Sequence, residues 1–277
     1  MLSNSDNAVK RAYTRMLANK NGGADETTKP YAKPNLTNAD VDAIIDICHL
    51  TENSFVIDFG CGNGRHTIRL AQKKIRALGI DYIVENVNVA RINASKSNVS
   101  VLFETGDCRE YKSKEVATAI ICLYDVIGSF SNEDDNIKIL QNIYDNLQSG
   151  GTAIISVMNA GITNDIKSFS FSTDPNAIFK LEASQTMETT GNVFDSSKIL
   201  FDTDSGKYYR REQFNIGQEL PEELIVCDRR YTADSIRQMC ESVGLIVTET
   251  RYVRSGKWDT KYTAKEGKEI LVVCTKP

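Results

Sequence analysis

The stretch Asn53–Ala71, NSFVIDFGCGNGRHTIRLA, constrains this chain more than any other. An apolar run, Phe55-Val56-Ile57, ends in Asp58, and glycines follow at Gly60, Gly62 and Gly64. A helical pattern then begins at once with Thr67, Ile68, Leu70 and Ala71. Strand, glycine turn and helix in that order build a ligand site at a strand's carboxyl end in open α/β sheets. Glycine permits positive φ and lets backbone approach a ligand closely, and the helix N-terminus offers unpaired N–H groups.

The flanking pattern extends the same architecture. Apolar runs at Ile75–Ile80, Val101–Glu104, Val116–Leu123 and Thr152–Val157 predict four more strands, with helices over Val84–Ala94 and 133–148 between them. Gly150-Gly151 is the expected stop of the second of these helices. An earlier helix is expected from a cap at Asn38 to about Leu50, with Val41, Ile44, Ile45 and Cys48 on one face. Strands and helices alternating over short links predict a parallel sheet. Thr232 caps a further helix ended by Gly244, and the strands Leu245–Tyr252 and Ile270–Cys274 are expected to pair antiparallel at one end of that sheet. Between Met158 and Val226 the pattern changes. Phe169 and Phe171 alternate with serines, Phe179–Thr189 alternates, and Ile199–Phe201 and Tyr208–Phe214 flank the turn Asp204-Ser205-Gly206, which predicts a small antiparallel insertion.

Composition narrows the class. The chain has 277 residues, 25% of them charged, and a net charge of −4, which argues against a protein that coats nucleic acid or an anionic membrane. Seven cysteines form no C-x-x-C pair, and His49 and His66 are the two histidines, so no zinc-ligand spacing exists. Without a signal-peptide core at the N-terminus or a run long enough to span a bilayer, the expectation is a reduced, cytoplasmic protein without a metal.

The glycine spacing is informative. In the dinucleotide loop, G-x-G-x-x-G, the third glycine comes one place later than here, where Arg65 stands. The segment Asp58-Phe59-Gly60-Cys61-Gly62-Asn63-Gly64 instead resembles the first motif of the class I S-adenosylmethionine-dependent methyltransferases. Downstream residues are similar to that family's pattern over roughly 38–158 and 230–277. The resemblance implies a Rossmann-like, seven-stranded sheet, mostly parallel with one antiparallel strand, plus a small antiparallel β insertion. It implies a core over 37–158 and 227–277, an N-terminal lid segment over 1–36, and an inserted substrate-binding lid over 159–226.

For the cofactor, S-adenosyl-L-methionine, the resemblance implies a site made by Asp58, Gly60, Cys61, Gly62, Asn63 and Gly64 at its amino-acid end. Asp81 with Tyr82 would take the ribose hydroxyls, a job that suits an acceptor-only carboxylate. Asp107 with Cys108 would sit beside the adenine amino group. Leu123 and Tyr124, at the end of the fourth strand, would face the sulfonium, with Tyr124 the candidate catalytic residue and Asp125 turned to the acceptor or into the next helix. Tyr31, Tyr209 and Arg211 are the candidates for binding a small-molecule acceptor, while a solvated strand face is the plainer reading of the insertion's arginines. His66 invites a role as base but equally fits local packing.

The expected reaction is therefore methyl transfer to N or O of a small molecule, needing a base only where the acceptor must lose a proton. Alternatives stay open: a methyltransferase acting on RNA, for which Arg251, Arg254, Lys257, Lys261, Lys265 and Lys268 with Tyr252, Trp258 and Tyr262 offer a basic, aromatic stretch, or on protein; a nicotinamide-dependent oxidoreductase; or a non-catalytic cofactor-binding subunit. The insertion is also a candidate surface for pairing two copies of the chain.

Overall fold

The computed structural model describes residues 34–161, 170–184, 196–214, 222–254 and 256–277. The expectations placed on residues 1–33 of the N-terminal segment, Tyr31 among them, on Phe169 and on residues 185–189 lie outside these segments.

Five strands run parallel in the core: β1 (Phe55–Phe59), β2 (Arg76–Asp81), β3 (Leu102–Thr105), β4 (Ala117–Cys122) and β5 (Leu147–Met158). Helices α1 (Pro34–Ile47), α2 (Arg65–Gln72), α3 (Val84–Lys96) and α4 (Glu133–Asn146) alternate with them. After an insertion come α5 (Ala233–Ser242) and three more strands of the same sheet, here named β10 (Ile246–Arg254), β11 (Lys257–Tyr262) and β12 (Glu269–Thr275). The insertion supplies β6 (Ser170–Ser172), β7 (Ile199–Asp202), β8 (Lys207–Phe214) and β9 (Glu222–Arg229).

The main sheet has the order β11-β10-β12-β5-β4-β1-β2-β3. From β1 the chain works outward to β2 and β3, then crosses back to β4 and β5, so the order reverses between β1 and β4. Ligands bind open α/β sheets outside the carboxyl ends at such a reversal. Alternate residues feed two cores. Ile57, Ile120, Ile155 and Val272 pack under α4 and α5, while Val56, Ile121, Ile154 and Leu271 pack under α1 and α2. This is the period-2 signature of a sheet covered on both faces.

Three expectations change. The sheet has eight strands and two antiparallel ones, because the polar stretch after β10 folds back as β11, and β10 and β12 pair antiparallel as expected. Trp258 makes the hairpin worthwhile: it alternates inward, is 4% exposed, and joins the core beneath α1. Helix α1 begins at Pro34, so Asn38 lies inside it. Helix α4 ends at Asn146, and the chain turns straight into β5, with Gly150-Gly151 inside the strand. The glycines are not needed as a stop, because Lys276 donates to the carbonyls of Tyr144 and Leu147, each at 2.8 Å.

The insertion forms its own sheet, order β6-β7-β8-β9, antiparallel from β7 onward with β6 parallel to β7. Its hairpin turns at Gly206 (φ +67°), as the turn signal predicts. Strand β9 runs to Arg229, past the boundary expected at 227. Phe179 lies in a 3₁₀ turn, Pro175–Lys180, instead of a strand.

Asn146 binds α4 to the β3–β4 link. Its side chain accepts from Ser113 N–H (2.8 Å) and donates to the carbonyls of Tyr111 (3.0 Å) and Asn142 (2.8 Å). It is 5% exposed, and truncation takes the acceptor from Ser113 N–H and opens a buried space, while the Tyr111 carbonyl keeps its bond from Asn142. Asn146→Ala is expected to lower unfolding free energy by about 2–3 kcal/mol. Urea denaturation checks this, the m-value staying unchanged.

Candidate active site

The glycine loop is shaped by its neighbours. Gly60 has φ +73°, and a Cβ there would lie 2.3 Å from Val126 Cγ2; at Gly64, φ +82°, a Cβ would lie 2.6 Å from the Phe103 ring. Both need glycine on two counts. Gly62 has open space beside it, and its N–H donates to Asp81 Oδ2 at 2.9 Å. Asp81 Oδ1 accepts from Ile83 N–H (2.9 Å) and Asn86 Nδ2 (3.3 Å), so this carboxylate fixes the β1–α2 loop and the start of α3 together. Burial raises the Asp81 pKa, against the opposing pull of the Ile83 and Gly62 N–H groups.

A cavity of about 290 Å³ opens at the carboxyl ends of the strands. Gly60, Gly62, Asp81, Tyr82, Asp107, Cys108 and Tyr124 all line it. The sequence pattern therefore brings the loop, the β2 acid, the β3 acid and the β4 end to one wall. Phe130, Ser131 and Asp135 also line it and carry no signal in the sequence beyond their place just before or in the first turn of α4.

Five candidates lie behind this wall. Asp58 is 3% exposed and accepts from Thr67 Oγ1 at 2.6 Å, tying β1 to α2. The Cys61 side chain packs among Ile68, Val87 and Phe103. Asn63 offers its carbonyl to Asn93 Nδ2 (3.2 Å), and Gly64 is the residue before α2, pressed on Phe103. Leu123 is 4% exposed, in the core beneath α1.

Asp107 meets a cation within its own loop. Arg109 donates from its backbone N–H (2.9 Å), from Nε to both carboxylate oxygens (3.0 Å each) and from Nη2 (2.6 Å). Burial alone would raise the Asp107 pKa, but these bonds hold it below the usual carboxylate value.

At the end of β4 two successive residues, Tyr124 (φ +60°) and Asp125 (φ +67°), take left-handed backbone. Such conformations cost about 1–3 kcal/mol each outside glycine and persist where surroundings over-determine them. Here Tyr124 N–H donates to Ser156 Oγ (2.8 Å), and its hydroxyl donates to Asp40 of α1. The ring stacks on His66, centroids 5.5 Å apart, and under the Arg65 guanidinium at 4.4 Å. Asp40, wholly buried, also accepts from Gly256 N–H (2.8 Å). His66 Nε2 lies 3.6 Å from Asp40 and makes no hydrogen bond; burial first, then Arg65, lowers its pKa, so it packs as neutral imidazole.

The candidate catalytic hydroxyl of Tyr124 is thus engaged by Asp40, and the next residue, Asp125, lines the cavity beside it. Burial pushes the Asp125 pKa up to about 6, Asp228 adding to the rise and Arg230, Lys268 and Arg210 opposing it. Glu269, at the start of β12, is 4% exposed, and burial, with Asp125 adding, pushes it to about 7 although Ser156 hydrogen-bonds it.

The insertion approaches with a different face from the one expected. Tyr209 is 4% exposed in the insertion's own core with Ile178, Leu200 and Cys227. Arg211 forks onto Glu223 (2.8 and 2.7 Å) and donates to the Leu181 carbonyl, so neither reaches the cavity. One position along, Arg210 pairs with Asp228 and Glu212, and Arg230 lies 4.7 Å over the Tyr208 ring. Successive strand residues point to opposite faces, and this second face carries the charges that act on Asp125.

Glu269 gives a measurable consequence. Its folded pKa lies above its ordinary value of 4.5, so its stabilising effect is full below pH 4.5 and lost as pH rises through about 7. Glu269→Gln removes that loss. The variant is expected to match the parent at pH 4 and exceed it at pH 8 by on the order of 3 kcal/mol, read by denaturation at both pH values.

Among the described residues no cluster of His, Cys, Asp and Glu is arranged to hold a metal, and no helix is long and apolar enough to cross a membrane. A family model described as a methyltransferase domain matches residues 50–216. The chain is 29% identical over 104 residues to a ubiquinone biosynthesis O-methyltransferase of Rickettsia prowazekii, covering 38% of this chain and 40% of that protein. It is 29% identical over 111 residues to the putative methyltransferase YqeM of Bacillus subtilis, covering 39% and 44%. The chain thus matches less than half the length of these relatives. Among solved structures, the CcbJ methyltransferase of Streptomyces caelestis superposes with a TM-score of 0.65 at 13% identity, covering 92% of this chain and 93% of that one. An S-adenosylmethionine-dependent methyltransferase of Clostridium acetobutylicum superposes at 0.61 and 12% identity, covering 97% and 99%. With the reversal of strand order at β1 and β4, the glycine loop on Asp81 and a family match over most of the core, the chain belongs to the class I S-adenosylmethionine-dependent methyltransferases.

Proposed function

We propose that the chain methylates a nitrogen or oxygen of a small molecule, with Asp125 receiving the acceptor's proton. The observation that carries this reading is one cavity lined by both the cofactor residues and Asp125, with the charged face of the insertion acting on Asp125. The residues present fit the cofactor: Gly62 leaves room for close approach, Asp81 keeps acceptor capacity mainly on Oδ2, and Asp107 is an ionised acceptor. When bound, S-adenosylmethionine supplies a methyl group on a sulfonium. The chain's own work is orientation and exclusion of water.

Asp125 suits a proton acceptor that works near neutrality, since a base is most effective with a pKa close to the working pH. Tyr124 becomes a positioning residue: its ring and its bonds to Ser156 and Asp40 hold the turn that aims Asp125. The insertion, as a lid, sets which acceptor fits. A ubiquinone-biosynthesis O-methyltransferase among the relatives and a glycopeptide N-methyltransferase among the structural neighbours support both N and O as targets. A nucleic-acid substrate is disfavoured by the stretch that suggested it: Trp258 is buried, Arg251 pairs with Glu249, and Arg254 donates to the Glu266 carbonyl and lies over Tyr262.

Calorimetry with S-adenosylhomocysteine is expected to show saturable binding, weakened by Asp81→Ala by about 1.5–3 kcal/mol; saturable binding of NAD in its place would overturn the cofactor reading. Labelled-methyl transfer into metabolite pools, peptides and RNA separates acceptor classes, and incorporation into RNA alone would sink the small-molecule reading. With an acceptor in hand, kcat is expected to rise with pH through about 6. Asp125→Asn should lose that step and roughly 10²–10⁴-fold in kcat, while Tyr124→Phe keeps the step.

A further inference from the structure

Arg109 stands at the adenine end of the cofactor cavity without lining it. Its guanidinium forks onto Asp107 (3.0 and 2.6 Å), lies 3.4 Å from Asp135 in the first turn of α4, and stacks 4.5 Å above the Phe130 ring. All three of those side chains do line the cavity. Asp107 belongs to the link after β3; Phe130 and Asp135 belong to the link after β4 and the helix it enters. One cation thus braces two separate segments from behind the wall they form.

We propose that Arg109 is a positioning residue for recognition of the cofactor's adenine, fixing the orientation of Asp107, Phe130 and Asp135 together. This rests on the reading that Asp107 meets the adenine amino group, and it is independent of the acceptor. The chemistry favours arginine specifically. A planar fork holds a carboxylate in one orientation through parallel N–H bonds, and the same plane stacks on an aromatic face. A lysine ammonium supplies the charge without either constraint. The backbone of both segments is held by other groups: Asn142 donates to the carbonyls of Cys108 (2.9 Å) and Tyr111 (2.8 Å), and Asn136 donates to the Phe130 carbonyl (3.0 Å) and accepts from Gly128 N–H (2.9 Å). Removing the guanidinium therefore frees Asp107 and Phe130, leaves Asp135 to Lys138 alone (2.8 Å), and keeps the fold's own ties in place.

The test compares S-adenosylhomocysteine with S-inosylhomocysteine, which carries an exocyclic carbonyl oxygen where adenine has its amino group. The parent protein is expected to prefer the adenosyl compound about tenfold or more. Arg109→Ala should lower affinity for the adenosyl compound about tenfold, leave the inosyl compound within about twofold, and keep the Tm of the ligand-free protein. Arg109→Lys should recover less than half of the lost preference, counted on a logarithmic scale. An Arg109→Ala protein that keeps the parent's preference, or that loses affinity for both compounds equally, overturns the proposal. Asp107→Asn separates the two levels: if it too keeps the full preference, the adenine reading of Asp107 itself fails. If Asp107→Asn abolishes the preference and Arg109→Ala does not, only the role of Arg109 falls.

Discussion

The carboxylate of Asp81 is the contact on which the rest of the site depends. Its two oxygens accept from Gly62 in the β1–α2 loop and from Ile83 and Asn86 at the start of α3. A glycine loop with positive φ at three positions has many alternatives in isolation. A charge-assisted bond to Gly62 N–H selects one of them, and the 6% exposure of Asp81 makes that bond stronger than it would be in water. The same burial makes an unpaired Asp81 costly, so the two loops and the acid are mutually required.

A second constraint operates at the end of β4. Tyr124 and Asp125 both hold left-handed backbone, which an aspartate tolerates and a bulky tyrosine does not favour. The turn is maintained from four directions: Ser156 on β5, Asp40 on α1, and His66 and Arg65 on α2. Gly256 ties Asp40 in turn to the β10–β11 hairpin. The eighth strand therefore does more than extend the sheet: it carries Trp258 under α1 and Gly256 onto Asp40, and α1 is thereby held where its carboxylate can fix the tyrosine. Strain at Asp125 and packing at the far edge of the sheet belong to one network.

What sequence made legible follows from distance along the chain. The glycine loop, the acids at the ends of β2 and β3, the Thr232 cap and the Gly206 turn are local features whose residues and geometry lie within a few positions of one another. Asp40, Ser156 and Glu269 reach the site only through tertiary packing of α1, β5 and β12, and no spacing announces them. The insertion shows a subtler limit. Its strand β8 was legible, but which of Tyr208-Tyr209-Arg210-Arg211 faces the site is a question of parity, and parity is set by which sheet face finds a core. Ile178, Leu200 and Cys227 provide that core, claiming Tyr209 and leaving Arg210 on the face whose charges act on Asp125.

The charge arrangement around Asp125 bears on why the insertion is there at all. Burial and the neighbouring Asp228 both raise the Asp125 pKa, and Asp125 in turn raises that of Glu269. Arg210, Arg230 and Lys268 oppose that rise, and two of the three, with Asp228, come from the insertion and the segment that returns from it. Arg210 is itself 7% exposed and paired with Asp228 and Glu212, so its position is fixed by the β8–β9 ladder. Displacing the insertion would remove both an acid and its compensating arginine from the neighbourhood of Asp125. The balance that places Asp125 near pH 6 thus depends on the insertion's present position, and at that value a carboxylate is neither too weak a base to accept a proton nor too weak an acid to be ionised near neutrality.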